Sequence, residues 1–190
     1  MENHHRVISI VKATGTGATN KSSLDAALLN ANIHNFNLIP LSSVIPPNVA
    51  IKRRKQFHRE PLPGSMQPVV IARITSSEPG ERISAGIGWK LAHEGGIFVE
   101  VACRESEPIM MNELAAGVRE IASHRKWQWI GAPEYETVEI SVPTDDKCAT
   151  ALVCAIYEWV QVWGDFLGQK IRSLSSSDSK RTATSGTAGI

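Results

Sequence analysis

The sequence predicts an α/β protein of the α+β kind: one mostly antiparallel sheet system with helices outside it. Three features carry that expectation. Short β-branched and alternating runs recur from Val7 to Val142, Gly and Pro clusters punctuate them, and apolar residues at helical spacing mark three other stretches. The pattern alone fixes no strand order.

Val7–Val11 (VISIV) reads as the first strand, and Thr14–Lys21 as a Gly/Thr loop. Ser22-Ser23 can cap a helix with Leu24, Ala27, Leu28 and Ala31 on one face. Leu38–Leu41 is a strand running into Ser42-Ser43, and Pro46-Pro47 stop regular pairing. A charged loop from Lys52 leads to Pro63-Gly64. Pro68–Thr75, Arg82–Trp89 and Ile97–Cys103 then read as a three-stranded antiparallel meander, turned at Pro79-Gly80 and Gly95-Gly96. Ser106 starts a helix with Pro108 in its first turn and Met110, Leu114, Val118 and Ile121 as its apolar stripe. Glu134–Val142 alternates as a strand should. Lys147–Ile171 is expected to form a long amphipathic helix, because Leu152, Ala155, Ile156, Trp159, Val160, Trp163 and Leu167 recur at its period. The end, 172–190, is Ser-, Thr- and Gly-rich and is expected to be a disordered tail.

The chain has 190 residues, 42% of them hydrophobic, enough for one domain with a core. Twenty basic against 19 acidic residues give a net charge of +1, which argues against a general nucleic-acid or membrane-surface binder. No apolar run approaches the ~20 residues that cross a bilayer, and Met1–Arg6 lacks a signal-peptide core. A cytoplasmic protein is expected. Cys103, Cys148 and Cys154 read as reduced thiols, with the last two on one helix.

Several motifs read more simply than their chemistry. Gly15–Ser22 approaches a phosphate-cradling loop, but Asn20 stands where glycine is wanted before the lysine. Lys52–Lys55 (KRRK) reads as a solvated basic loop. The six histidines show no metal-ligand spacing, and no Gly-x-Ser-x-Gly elbow occurs. No metal is expected.

One segment is different. Asn35-Phe36-Asn37-Leu38-Ile39-Pro40-Leu41-Ser42-Ser43-Val44-Ile45-Pro46-Pro47 resembles the Asn-x-Asn-Leu-Ile-x-x-Ser-Ser-x-x-Pro-Pro processing site of the pyruvoyl-dependent arginine decarboxylase family. Leu24–Ala31, Ser76–Ala85 (SSEPGERISA) and Gly96–Glu100 (GIFVE) resemble that family's preceding helix, its Pro-Gly-Glu turn and strand, and the strand ending in its glutamate. The resemblance runs from about Val7 to Trp163. The sequence departs at Pro40, at Leu41 and in a longer, more basic loop over Lys52–Glu60.

The resemblance implies a layered sandwich of sheets flanked by helices, assembled as a homotrimer with sites between subunits. It implies a domain over 1–171, cut into a small β chain (1–42) and a larger α chain (43–190). The Ser43 hydroxyl would attack the Ser42 carbonyl, and elimination from the resulting ester would leave a covalent pyruvoyl cofactor at position 43. That ketone would form a Schiff base with the substrate and accept the electrons of its Cα carbanion. Arginine would become agmatine and CO2, serving polyamine supply or acid resistance. Asn37 is implied as an oxyanion donor. Glu100 is implied as the acid that reprotonates Cα, beside apolar Ile97, Phe98 and Val99. Asp25 is implied as the carboxylate that pairs with the guanidinium. The alternatives are the same machinery on another amino acid and an unprocessed assembly protein of the same fold.

Overall fold

In the computed structural model, which describes residues 6–60, 62–145 and 147–159, two sheets lie face to face with a helix on the outer side of each. The elements are β1 (Arg6–Gly17), α1 (Asn20–Asn30), β2 (Asn37–Pro40), β3 (Val44–Ile45), β4 (Val49–Arg53), β5 (Met66–Ser76), β6 (Arg82–Ala92), β7 (Gly95–Cys103), α2 (Glu107–Ser123), β8 (Trp129–Ser141) and β9 (Cys148–Tyr157). One sheet has the order β2-β5-β9-β1-β4, the other β3-β7-β6-β8. Only the β1–β4 and β2–β5 pairs are parallel. The expected mostly antiparallel α+β sandwich is therefore what the chain forms.

Two expectations fail, for one reason. Residues 148–157 are a central strand and not a helix, paired with β1 on one side and β5 on the other. Every residue of β9 is buried. Ala149, Ala151, Val153, Ala155 and Tyr157 face the second sheet, while Leu152, Cys154 and Ile156 face α1. A run apolar on both faces carries no period of two, so it satisfies a helical template equally well. Residues 160–171 of the expected helix, and the 172–190 tail, lie outside the described residues. The meander fails with it: β5 joins β9 and β2 in the first sheet, and β6 takes β7 and β8 as neighbours. Cys148 and Cys154 are buried free thiols on that central strand.

The inner core packs Ile8, Ile10, Val70 and Val153 against Ile83, Ile87, Trp89 and Phe98. α1 is capped by Thr19, whose hydroxyl accepts from the Ser22 amide at 3.1 Å while Ser22 Oγ accepts from the Thr19 amide at 3.0 Å. The strand β1 runs on through the expected Gly/Thr loop. Gly15 is there because α1 packs against it, and a Cβ would collide with the Ala27 amide. Close packing, not phosphate, explains that glycine. On the far side α2 lays Met110, Leu114 and Val118 over the bare backbone at Gly86 and Gly88.

The KRRK loop is not simply solvated. Arg53, at the end of β4, donates to Glu134 Oε2 at 2.8 Å, Glu136 Oε2 at 3.0 Å and the Tyr135 carbonyl at 3.3 Å, all on β8. Its guanidinium lies 4.7 Å from the Trp89 ring centroid. Arg54 donates to Ser9 Oγ at 2.6 Å and lies 3.6 Å from Glu158, which is 8% exposed. His58 and Arg59 face the same carboxylate at 3.7 and 3.6 Å.

Candidate active site

The Ser42-Ser43 pair bridges the two sheets. β2 ends at Pro40 on the edge of the first sheet, with the Leu41 amide still bonded to the Val69 carbonyl at 2.8 Å. Four residues after Pro40, β3 begins on the edge of the second sheet, Val44 opposite Ile97 and Ile45 opposite Gly96. Ser42, between them, is exposed. Crossing between sheets in so few residues forces the backbone. Ser43 has φ +63°, a left-handed conformation that costs a residue with a Cβ about 1 kcal/mol or more.

That conformation is over-determined from β7 and β9. The Phe98 amide donates to the Ser43 carbonyl at 2.8 Å. The Tyr157 hydroxyl donates to the Val44 carbonyl at 2.8 Å. Gly95, at φ +144°, lets the β6–β7 turn close on β3, where a Cβ would stand 2.5 Å from the Ile45 carbonyl oxygen. The Ser43 hydroxyl donates to Glu100 Oε1. Glu100 shares a face of β7 with Phe98, two residues away, and is half-buried at the rim of the inter-sheet core. Burial pushes the Tyr157 phenol well above its ordinary value, and the charge of Glu100 pushes it further.

Of the expected site residues, the fold brings Ser42, Ser43 and Glu100 together. Asn37 is exposed on β2, where its amide donates to the Gly64 carbonyl at 3.0 Å and its backbone N–H to Ser65 O at 2.8 Å. It thus ties the 62–65 turn to the strand leading to the serines. Asp25 is exposed on α1, on the outer side of the first sheet, without a hydrogen bond or ion pair among the described residues. Tyr157 and Gly95 were not singled out from the sequence. Tyr157 sat in a run read as helix, and Gly95 read only as a turn. Among the described residues no group of three or more His, Cys, Asp or Glu could hold a metal ion, and no helix is long and apolar enough to cross a membrane.

Fold and site together define a two-sheet sandwich whose strained serine, set at the crossing between sheets, faces a glutamate on the adjoining strand. The family model described as "Pyruvoyl-dependent arginine decarboxylase (PvlArgDC)" matches residues 7–160, and the chain belongs to that family. A relative named pyruvoyl-dependent arginine decarboxylase from Thermococcus kodakarensis is 36% identical over 147 residues, covering 74% of this chain and 88% of its own. Relatives of the same name from Pyrococcus horikoshii and Halobacterium salinarum are 34% and 29% identical, covering 77% and 78% of this chain and 91% and 92% of theirs.

Proposed function

We propose that this chain cuts itself between Ser42 and Ser43 and then decarboxylates arginine to agmatine and CO2. The observation that carries the reading is the Ser43 residue itself: left-handed, fixed through its carbonyl by Phe98 N–H, with its hydroxyl on Glu100. In the cleavage, Ser43 Oγ attacks the Ser42 carbonyl carbon and the peptide C–N bond breaks, leaving an ester and a free amine at residue 43. Loss of the Cα proton of residue 43 then breaks the Cβ–Oγ bond and frees the 1–42 chain as a carboxylate. Hydrolysis of the remaining dehydroalanine releases ammonia. Relief of the strain at Ser43 favours the first step.

The residues present fit a pyruvoyl group made at position 43, since its carbonyl and its side-chain face already have partners. The group's ketone supplies the electron sink that ordinary side chains lack. The chain's own residues do the rest. Glu100, at the rim of an apolar core, delivers a proton to the substrate Cα once CO2 has left. Asp25, exposed and without a partner among the described residues, is free to pair with a guanidinium through two charge-assisted bonds. Asn37 holds the strand that presents the Ser42 carbonyl; five residues back along that strand, it would supply a donor for the oxyanion only from a neighbouring protomer.

Asp25 belongs to a helix on the first sheet and Ser43 to the edge of the second, which suits a site completed between subunits. Leu41 and Val44, which flank the serines, are exposed at 37% and 48% and supply an apolar surface for such a contact. The assembly proposed is a homotrimer of cleaved protomers, in the cytoplasm, with the domain ending near residue 171 and a tail beyond.

The intact mass of purified protein tests the cleavage. Two species are expected, Met1–Ser42 and a chain starting at a blocked residue 43. A single full-length mass after prolonged incubation overturns the reading in favour of an unprocessed assembly protein. Release of CO2 from arginine, ornithine and aspartate tests the substrate. Turnover of another amino acid, with none of arginine, retains the machinery and removes arginine.

A further inference from the structure

Cleavage at Ser43 would turn an internal residue into a chain end that must hold a reacting group still. That end is weakly held by regular structure. β3 has two residues, Val44 and Ile45, and everything upstream of residue 43 is lost to the other fragment. Past Ile45 the chain runs into Pro46 and Pro47, which add no ladder donors. Among the described residues, beyond the β7 ladder, the Phe98 bond to Ser43 and the Ser43–Glu100 bond whose hydroxyl is lost with cleavage, one further hydrogen bond fixes this segment: Tyr157 Oη to the Val44 carbonyl, at 2.8 Å.

Its origin is unlike the others. Phe98 belongs to β7, in the same sheet as β3, whereas Tyr157 ends β9, the central strand of the opposite sheet. The phenol reaches across the core between the sheets to hold the peptide one residue from the cleavage point. The Tyr157 side chain is well placed to stay where it is. The residue is 4% exposed, its ring lies 5.3 Å from that of Trp159, and its backbone carbonyl accepts from Gln67 Nε2 at 2.8 Å. A fixed donor on a rigid central strand suits the holding of a mobile end.

We propose that Tyr157 is a positioning residue for both reactions at residue 43. Through the Val44 carbonyl it keeps Ser43 in its left-handed conformation before cleavage and keeps the new chain end facing Glu100 afterwards. This rests on the cleavage reading above. The hydroxyl bonds the Val44 carbonyl and not the scissile 42–43 peptide, so it acts through alignment. A displaced end leaves the substrate-holding groups where they are, so the loss falls on kcat and not on KM.

Tyr157→Phe keeps the ring and removes only the donor. Self-cleavage is expected to slow about tenfold, and kcat of the cleaved fraction, measured separately, to fall about fivefold or more, with KM within about twofold of the parent. Ser84→Ala is the control for a general structural effect. It removes another buried hydroxyl's bond, Ser84 Oγ to the Glu105 carbonyl at 2.7 Å, opposite Cys103 and about 20 Å along β7 from Val44's partner Ile97. It should lower Tm by a similar amount and leave cleavage and kcat unchanged.

If Tyr157→Phe cleaves and turns over within twofold of the parent, the proposal is overturned. A Phe variant that fails to fold, or that loses rate only as Ser84→Ala does, also overturns it by assigning the hydroxyl to core stability. An uncleaved parent protein, run alongside, marks failure of the cleavage reading instead.

Discussion

Ser43 and Glu100 share one hydrogen bond but are proposed for separate roles, and substitution distinguishes them. Ser43→Ala removes the nucleophilic oxygen and should leave one full-length chain, read by intact mass, with no decarboxylation. Glu100→Gln keeps an oxygen that can accept from the Ser43 hydroxyl while losing the transferable proton. It should therefore cleave, yet decarboxylate about 10²- to 10⁴-fold more slowly, the usual worth of a positioned acid. Undiminished turnover by the cleaved Gln variant removes Glu100 from that role. That Ser42, Ser43 and Glu100 lie beside one another was expected from the sequence because each belongs to a linear segment resembling the family's own. Tyr157 was not legible: it lies 114 positions beyond Ser43 in the chain, and only the sheet order brings its hydroxyl to the Val44 carbonyl.

The two-residue strand β3 is the element on which the site depends, and its fit against the β6–β7 turn is decided by Gly95. At φ +144° with Ile45 O beside it, position 95 has no room for a Cβ and holds a backbone conformation that a residue with a Cβ rarely adopts. Gly95→Ala should push β3 off β7, loosening the Val44–Ile97 and Ile45–Gly96 pairs and with them the Phe98 bond to Ser43. Stability should fall by about 1–3 kcal/mol in urea unfolding, and cleavage followed on denaturing gels should slow more than tenfold. Cleavage at the parent rate in a destabilised Ala variant would show that β3 need not sit in register for the chemistry. The same scale explains the misread elements. Strands with one exposed face, such as β8, were found by their alternation, although β8 begins at Trp129 and not at Glu134. Strand β9 has both faces covered, by α1 and by the second sheet, and its one hydroxyl near the start, Thr150, is buried, so no alternation of polar residues marks its period. With 148–157 taken as a helix, β5 has no partner but the next strands in the chain, which is why the pattern alone groups it into a meander; its neighbours are β9 and β2.

At the scale of the whole molecule, the sandwich must keep its two sheets aligned along their edges, since the serine pair crosses from one sheet to the other. Arg53 clamps the sheets along the opposite edges, β4 and β8, away from the β2 and β3 edges that the serines join. It leaves β4 at the edge of the first sheet and meets Glu134, Glu136 and the Tyr135 carbonyl on β8 at the edge of the second, with Trp89 beneath it. Lys12 supports it from β1, 2.6 Å from Glu136. The Arg53 side chain is 47% exposed, so water and salt screen its ion pairs, and its planar stacking is the part least screened. Arg53→Lys keeps the charge and loses the fork and most of the stacking; Arg53→Ala loses all three. The expected losses in urea unfolding are about 0.5–1 kcal/mol for Lys and about 1–2 kcal/mol for Ala. Raising salt to 1 M should shrink the Ala deficit only in part, because the stacking and the covered apolar stem remain missing. A deficit that vanishes in high salt would make Arg53 an ordinary surface charge, and the alignment of the two sheets would then rest on the Ile8, Val153, Ile87 and Phe98 core alone.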